Sequence, residues 1–433
     1  MIGTLNTNRK EVTVVGAGIA GMLAAYALDK NGYRVTLIEE KQRAGGLIKT
    51  SNTEHGMAES AAHSLIATVA VRELCDELKV RLIEPRKESK AKFIVRDGKL
   101  RRFPLSIGET LGALGHAAFV RSSNGDAQNL AAWGQRHLGS SALNYLLTPF
   151  VRGIYGAQPA ELSVTAAYPA LNVPPGKTLL GSVVNKRLKG SFQAPARKES
   201  KQRVAPRFGM GDLVLRLEKR LERNLGPRFR KDERITNVPD APNVIIATPA
   251  QAAARILEGV APDLAASLES VIYTPIVSAT VFVNRDSFTR PVKGTGVLMP
   301  ACEDRKSLGI LFNSSSFDGR VSDESQLASF TVMMGGSSQR HWLRADDDEI
   351  RQAIKLELFN VLGIREPLEV VIHRWPAALP QYSSDLPDVW QHARDTWCAT
   401  PGRMLFGNYT GQISLRGMIE SANELGLERK LSA

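Results

Sequence analysis

Cysteine is scarce in this chain of 433 residues: there are three, Cys75, Cys302 and Cys398. They are far apart and odd in number, which excludes a disulfide framework and a CxxC metal site and fits a reducing compartment. Long apolar runs are missing as well. No stretch approaches the roughly 18 to 20 consecutive apolar residues that a membrane-crossing helix needs. The first twelve residues, MIGTLNTNRKEV, are polar and lack the apolar core of a secretory leader, so a cytoplasmic location is expected. The seven histidines fall into no HExxH or other ligand spacing, and no metal is expected. Internal repeats are absent. Acidic residues are in deficit, 44 against 56 basic ones, for a net charge of +12. Such an excess attracts anions of any kind. The basic residues gather at 197–203 and 216–231 without zinc-finger or RNA-binding spacing, so nucleic acid is not an expected partner. Acidic lipid and a carboxylate-bearing substrate remain.

What is present reads as a globular protein. Hydrophobic residues make up 43% and charged residues 23%, and the length implies two or three domains. Residues 11–15 form a short apolar run typical of a buried strand. Residues 19–30 carry Ala20, Leu23, Ala24, Ala27 and Leu28 at helical spacing, with Asn31-Gly32 as the stop signal. Residues 34–39 form a second strand and complete a βαβ unit. Further along, 45–63 reads as loop with short strands, 69–78 as helix, and 93–100 as a strand pair turning at Asp97-Gly98. Residues 107–147 are alanine- and leucine-rich and mostly helical. Residues 173–207, rich in Pro, Gly, Lys and Ser, read as an exposed, mobile connection. Strands are predicted at 243–247, 272–283, 294–316, 330–335, 368–373 and 405–409, with helices over 212–224 and from Leu415 onward.

The turn between the first strand and helix is Gly16-Ala17-Gly18-Ile19-Ala20-Gly21, a GxGxxG. Gly16 permits the tight turn, Gly18 lets the backbone approach a diphosphate, and Gly21 lets helix and strand pack closely. The diphosphate then lies at a helix start, where unpaired amides and the dipole favour negative charge. Glu39 ends the second strand at the position where a carboxylate accepts from ribose hydroxyls. A lone GxGxxG says little; strand, turn, helix, strand and acid in register say a dinucleotide.

The segment Lys41-Gln42-Arg43-Ala44-Gly45-Gly46 chooses the cofactor. It resembles the RxGG signature of the flavin amine oxidase superfamily, with Leu47 where many members carry arginine. Phe406 to Leu415 resembles that superfamily's second flavin contact. Pro149-Phe150-Val151-Arg152-Gly153-Ile154-Tyr155 resembles the PFxxGxY segment of the protoporphyrinogen oxidase family. Gly296-Val297-Leu298, Leu308-Gly309, Ser314-Ser315-Ser316-Phe317, Arg320 and Arg374-Trp375-Pro376-Ala377-Ala378-Leu379-Pro380-Gln381-Tyr382 continue the likeness in collinear order over residues 11–425.

The resemblance implies an α/β fold: a discontinuous Rossmann-type FAD-binding domain (1–88, 205–260 and 400–433) with an inserted mixed-sheet substrate domain (89–100 and 261–399) and a helical domain (101–204) able to rest on a membrane. It implies FAD held by Gly16, Gly18, Ile19, Ala20, Gly21, Glu39, Glu40, Arg43, Gly45, Gly46, Leu47, Ala61, Ala62, His63, Ser64, Asn408, Ile413, Ser414 and Leu415. The substrate is a porphyrinogen, which loses six electrons, two per turnover, to the flavin and then to oxygen or another acceptor. Gly153 and His63 are the candidates beside the chemistry. Leu298, Leu308 and Met333 would sandwich the rings, and Lys92 and Arg152 would face its carboxylates. Two departures stand out: Ala61-Ala62-His63-Ser64 replaces the family's GPxS, and Lys92 replaces an arginine, losing the bidentate fork. The alternatives are coproporphyrinogen as substrate, an amine oxidase or desaturase, and a non-catalytic FAD-binding scaffold of the heme pathway. A homodimer and peripheral membrane contact are compatible with the likeness.

Overall fold

The protein was analysed as a computed structural model that describes residues 1–123, 129–190 and 202–425. Its first sheet is wholly parallel, in the order β10 (Phe229–Arg230), β2 (Arg34–Ile38), β1 (Glu11–Val15), β11 (Asn243–Ile246), β17 (Arg403–Leu405). It therefore draws strands from the start, the middle and the end of the chain. Its central strands read as continuous apolar runs because both faces are covered: Val12, Val14, Val35, Leu37, Val244, Ile245 and Ile246 are all buried.

The helix Ile19–Lys30 lies on one face, with every residue from Ala20 to Leu28 buried. Four alanines in that stretch keep its surface slim. It packs against the helices Met210–Leu225 and Leu415–Asn423. Met210–Leu225 follows the amphipathic rule, burying Leu213, Leu217, Leu221 and Leu225 while Asp212 and Arg216 pair one turn apart at 2.8 Å. Two small sheets lie beside this layer, a hairpin of β3 (Thr50–Asn52) and β4 (Met57–Glu59), and a trio in which β9 (Arg203–Pro206) is flanked by β5 (Leu65–Ile66) and β6 (Leu82–Ile83).

The second large sheet has seven strands in the order β16 (Glu369–Pro380), β12 (Tyr273–Asn284), β15 (Leu327–Gly335), β14 (Ser307–Phe312), β13 (Gly296–Leu298), β7 (Lys92–Arg96), β8 (Lys99–Arg101). All pairs are antiparallel except β13 with β7. Side chains alternate between faces. One face, with Val277, Ala279, Val281, Val297, Ile310 and Val332, is sealed by Ile350, Ile354 and Leu358 of the helical segment that follows Asp346. The other face looks toward the dinucleotide half. A helical layer, including Ile107–Phe119, Leu130–Leu138 and Thr148–Tyr155, meets this sheet through Thr148–Tyr155, which contacts β13 and β14.

The α/β class and the mixed second sheet agree with the sequence. Three local expectations need correction. Residues 173–207 contain a helix, Leu179–Gly190, and the strand β9, because Val204 and Ala205 are fully buried between β5 and β6; positions 191–201, with most of the first basic cluster, lie outside the described residues. The last strand ends at Leu405, since Thr410 closes a turn by donating from Oγ1 to the Gly407 carbonyl at 2.8 Å. β16 runs on to Pro380 through Pro376, which an edge strand tolerates.

Candidate active site

The turn after β1 is held by backbone contacts that leave no freedom at two glycines. Gly16 donates to the Ile38 carbonyl at 2.7 Å and has φ of 97°. A Cβ at Gly21 would stand 1.8 Å from the Gly16 oxygen, so the helix start presses directly on the end of the strand. Gly18 is different. Its φ is −62°, which any residue adopts, and a Cβ there would meet nothing within 4 Å. The helix begins at Gly18 with no side-chain cap and no acid in its first turn. Its leading amides have no intrahelical acceptor, and Ile19, Ala20 and Gly21 carry them at this end.

The second glycine loop stacks on the first. Gly45 donates to the Ala17 carbonyl at 2.8 Å, and a Cβ at Gly46 would lie 3.3 Å from the Gly18 Cα. Arg43 fixes that loop by donating to the Ala44 and Ile48 carbonyls, each at 3.0 Å, and to the Gly46 carbonyl. Glu39 is anchored by backbone: its Oε2 accepts from the Ala17 amide at 2.6 Å and its Oε1 from the Lys41 amide at 3.1 Å. Each carboxylate oxygen keeps a further acceptor site, so the pair of bonds aims Glu39 without consuming it. Glu40 is exposed beside it, 4.0 Å from the Arg234 Nε.

The C-terminal helix starts beside the first helix, with which it packs. Ser414 caps it, its hydroxyl accepting from the Gly417 amide at 3.1 Å, while Leu415 and Ile413 stand half-buried at its start. The approach to it is pinned by Tyr382, whose hydroxyl donates to the Asn408 carbonyl at 2.6 Å, and by Trp390, whose Nε1 donates to the Tyr409 carbonyl at 2.7 Å.

Residues Ala61 to Ser64 are half-buried between the two sheets. Ser60, fully buried, ties this segment to both sides. Its hydroxyl donates to the Leu47 carbonyl at 2.7 Å and accepts from the Lys49 amide at 2.9 Å, and its carbonyl accepts from Trp375 Nε1 of β16 at 2.7 Å. Sequence reasoning missed Ser60 as a site residue; the Trp375 of the RWPAALPQY stretch was the available signal. His63 Nε2 is buried without a hydrogen-bond partner. Burial first, then the positive charge of Arg320, pushes its pKa down to about 3, so the imidazole is neutral.

On the second sheet, register gathers the substrate candidates. Leu298 pairs with Gly309, Gly309 with Met333, and Met333 with Ser278, and paired residues share a face. Gly153 lies over this row: a Cβ there would come 2.6 Å from Leu298 Cδ2. Leu308 reaches the neighbouring crossing, its Cδ2 standing 3.3 Å from where Gly336 would place a Cβ. Lys92 is exposed and pairs with Gly296 one step along the same face. Arg152 does not join them in the open. It is 3% exposed, and its Nη1 donates to the Met299 carbonyl at 3.0 Å, so the guanidinium braces the helix Thr148–Tyr155 against the end of β13. The expectation was that Arg152 faces a carboxylate of the substrate; in this structure its Nη1 is bonded to backbone.

Two stacked glycine loops, an uncapped helix start facing unfilled space, and an anchored acid at the end of β2 fit a dinucleotide diphosphate and ribose. The flavin containing amine oxidoreductase family matches residues 19–428. The chain belongs to that family. Its FAD would be held by the glycine loops, Glu39 and the start of the C-terminal helix, and the protein is an FAD-dependent oxidoreductase. It is 26% identical to protoporphyrinogen oxidase 2 of Arabidopsis thaliana, over 95% of this chain and 92% of that one, and 24% identical to human protoporphyrinogen oxidase, over 96% and 97%. Among solved structures it resembles an Exiguobacterium protein provisionally named a protoporphyrinogen oxidase (TM-score 0.76, 20% identity, 97% of this chain and 98% of that one). It also resembles cyclohexylamine oxidase from Brevibacterium oxydans (TM-score 0.67, 16% identity, 96% and 97%).

Two outcomes follow from this geometry. Gly18→Ala should leave the melting temperature of flavin-free protein unchanged yet weaken FAD binding at least about tenfold, or about 1.4 kcal/mol, because its methyl enters the cradle and touches no protein atom. Gly21→Ala should lower both stability and FAD binding. Equal flavin content in wild type and Gly18→Ala would refute the assignment of the cradle. For His63, the folded pKa lies below the unfolded value of about 6.5, so the stability it contributes is complete above that pH and is lost as pH falls toward 3. Between pH 6.5 and 5 the loss is about 2 kcal/mol. Urea unfolding of His63→Asn should show a pH dependence shallower than wild type by that amount.

Proposed function

We propose that this enzyme oxidises a porphyrinogen, converting protoporphyrinogen IX to protoporphyrin IX in heme biosynthesis. The observation that carries the reading is the in-register row Leu298–Gly309–Met333 with Gly153 packed over it. The row is a flat, mostly apolar surface with a small residue at its centre, and it lies on the sheet face that looks toward the dinucleotide half. A large disc with charged edges suits such a slot. The names of the relatives support the same substrate.

Bound FAD supplies a two-electron acceptor for hydrogen removed from the tetrapyrrole. The chain's own work is positioning and exclusion of water. Leu298, Leu308 and Met333 hold the rings by apolar contact. Lys92 meets a propionate at the rim. His63, neutral across the physiological range, adds no charge beside the flavin contacts at Ala61 and Ala62. The final acceptor is oxygen or another oxidant that reaches the same pocket.

The helical layer accounts for how an oily substrate arrives. No residue of the helix Ile107–Phe119 is buried; Ile107 is 83% and Phe119 84% exposed. Leu111, Leu114 and, on the preceding segment, Phe103 are exposed with them, next to the exposed Arg101 and Arg102. No helix among the described residues is long and apolar enough to cross a membrane. Apolar side chains flanked by cations fit peripheral contact with an anionic bilayer.

Anaerobic holoenzyme mixed with protoporphyrinogen IX should lose its oxidised-flavin absorbance. Persistence of the yellow form with protoporphyrinogen and with coproporphyrinogen III would sink the reading. Lys92→Ala should raise KM about fivefold with kcat nearly unchanged, since an exposed ion pair is worth about 1 kcal/mol. The wild type should co-sediment with phosphatidylserine-containing liposomes at low salt, and the pair Ile107→Asp, Phe119→Asp should stay in the supernatant.

A further inference from the structure

Arg320 is 4% exposed. Its Nη2 donates to the Pro206 carbonyl at 3.0 Å, whereas its Nη1 is buried without a partner. Arg203 donates to the Thr295 hydroxyl at 3.3 Å. The two guanidinium groups both lie near the ring of Phe317, 5.5 and 5.4 Å from its centroid. These three side chains, with Glu59, His63 and Asn313, line a cavity of about 60 Å³. A water needs roughly 10–15 Å³ on such a measure, so the space admits a group several atoms large.

The charge in this cavity is unbalanced. A guanidinium stays protonated in proteins, and leaving one buried without an anionic partner is costly. Glu59 is the acid in the lining; its oxygens accept from the Met210 amide and the Thr50 hydroxyl, both at 2.7 Å, which aims the carboxylate and leaves each oxygen a further acceptor site. Burial raises its pKa and the positive charge of Arg320 opposes that rise, so Glu59 offsets the charge of one guanidinium and not of both. His63 turns a second unpartnered, buried nitrogen, Nε2, toward the same region. Two fixed positive groups and a neutral imidazole thus face a space that holds one acid, which leaves one positive charge in excess.

We propose that this cavity is a binding site for a single carboxylate, held by Arg320 Nη1 with Arg203 and His63. Leu311, which also lines it, stands two residues along β14 from Gly309 and so shares the substrate face. The carboxylate is therefore either a side-chain acid of the substrate, a source that rests on the porphyrinogen reading, or a free small acid. The site itself requires only the groups described.

The test uses FAD-loaded enzyme and sodium acetate as probe, titrated calorimetrically at constant ionic strength against sodium chloride. Wild type should give saturable one-site binding, weakened at least tenfold in Arg320→Gln. Asn313→Asp supplies a carboxylate from the protein itself. It should abolish acetate binding and raise the melting temperature, whereas in a cavity that holds no anion a buried acid would lower it. Absence of saturable acetate binding, or equal affinity in both variants and wild type, overturns the proposal. Acetate that raises KM for the porphyrinogen without changing kcat assigns the site to the substrate's own acid; binding that leaves KM unchanged assigns it to a free acid. Because the calorimetric arm contains no porphyrinogen, its failure and that of the proposed reaction are separable.

Discussion

The carbonyl oxygen of Gly16 occupies the place where a side chain at position 21 would begin. This one contact fixes the first helix against the end of β1 so closely that its leading amides project past the sheet. The remainder of the cofactor half is arranged around that projection. The Gly45 amide hooks onto the Ala17 carbonyl, Arg43 ties down the loop that follows, and Glu39 is aimed by the Ala17 amide itself. The C-terminal helix then packs beside the first and starts near it. A substitution that pushed the first helix outward would disturb all of these at once, since each is bonded to the turn or to a neighbour of it.

The link from the dinucleotide half to the second sheet is equally local. Ser60 makes four hydrogen bonds, one to Leu47, two to Lys49 and one to Trp375, and by them the segment 61–64 that follows it is held between a glycine loop and the edge strand β16. Buried hydrogen bonds of this kind contribute about 1 kcal/mol each. Their greater effect is on relative position: the second sheet can present Leu298 and Met333 at a set distance only while β16 is anchored to the dinucleotide half.

Much of this was legible in the sequence because it depends on chain-local rules. Glycines at fixed offsets dictated the turn, and alanines at helical spacing dictated the slim first helix. The dipeptide Asp97-Gly98 dictated its hairpin, where both residues have positive φ. What was not legible depends on contacts between distant segments. The strand Arg203–Pro206 lies at the end of a Pro-, Lys- and Ser-rich stretch, and only pairing with Leu65 and Leu82 makes it a strand. Arg152 reads in the sequence as a cation available to an anionic substrate; its bond to the Met299 carbonyl, 147 residues away in the chain, is visible only in the fold. Ser60 and Arg320 gained their roles only through partners more than ten residues away.

The polarity of the second sheet separates structure from function within single strands. On the face sealed by Ile350 and Ile354, β12 and β15 present valine and alanine. On the opposite face the same strands present Ser278, Thr280 and Ser329, fully buried or nearly so, with hydroxyls that have no protein partner. An unsatisfied buried hydroxyl costs about 1–3 kcal/mol, and valine would fit these positions in a strand without that cost. Stability alone would favour the apolar choice on both faces. In these two strands the penalty falls on the face that also holds Leu298, Met333 and Lys92, so the sealed face keeps the fold while the opposite face carries a cost that packing does not explain and that the proposed substrate slot would.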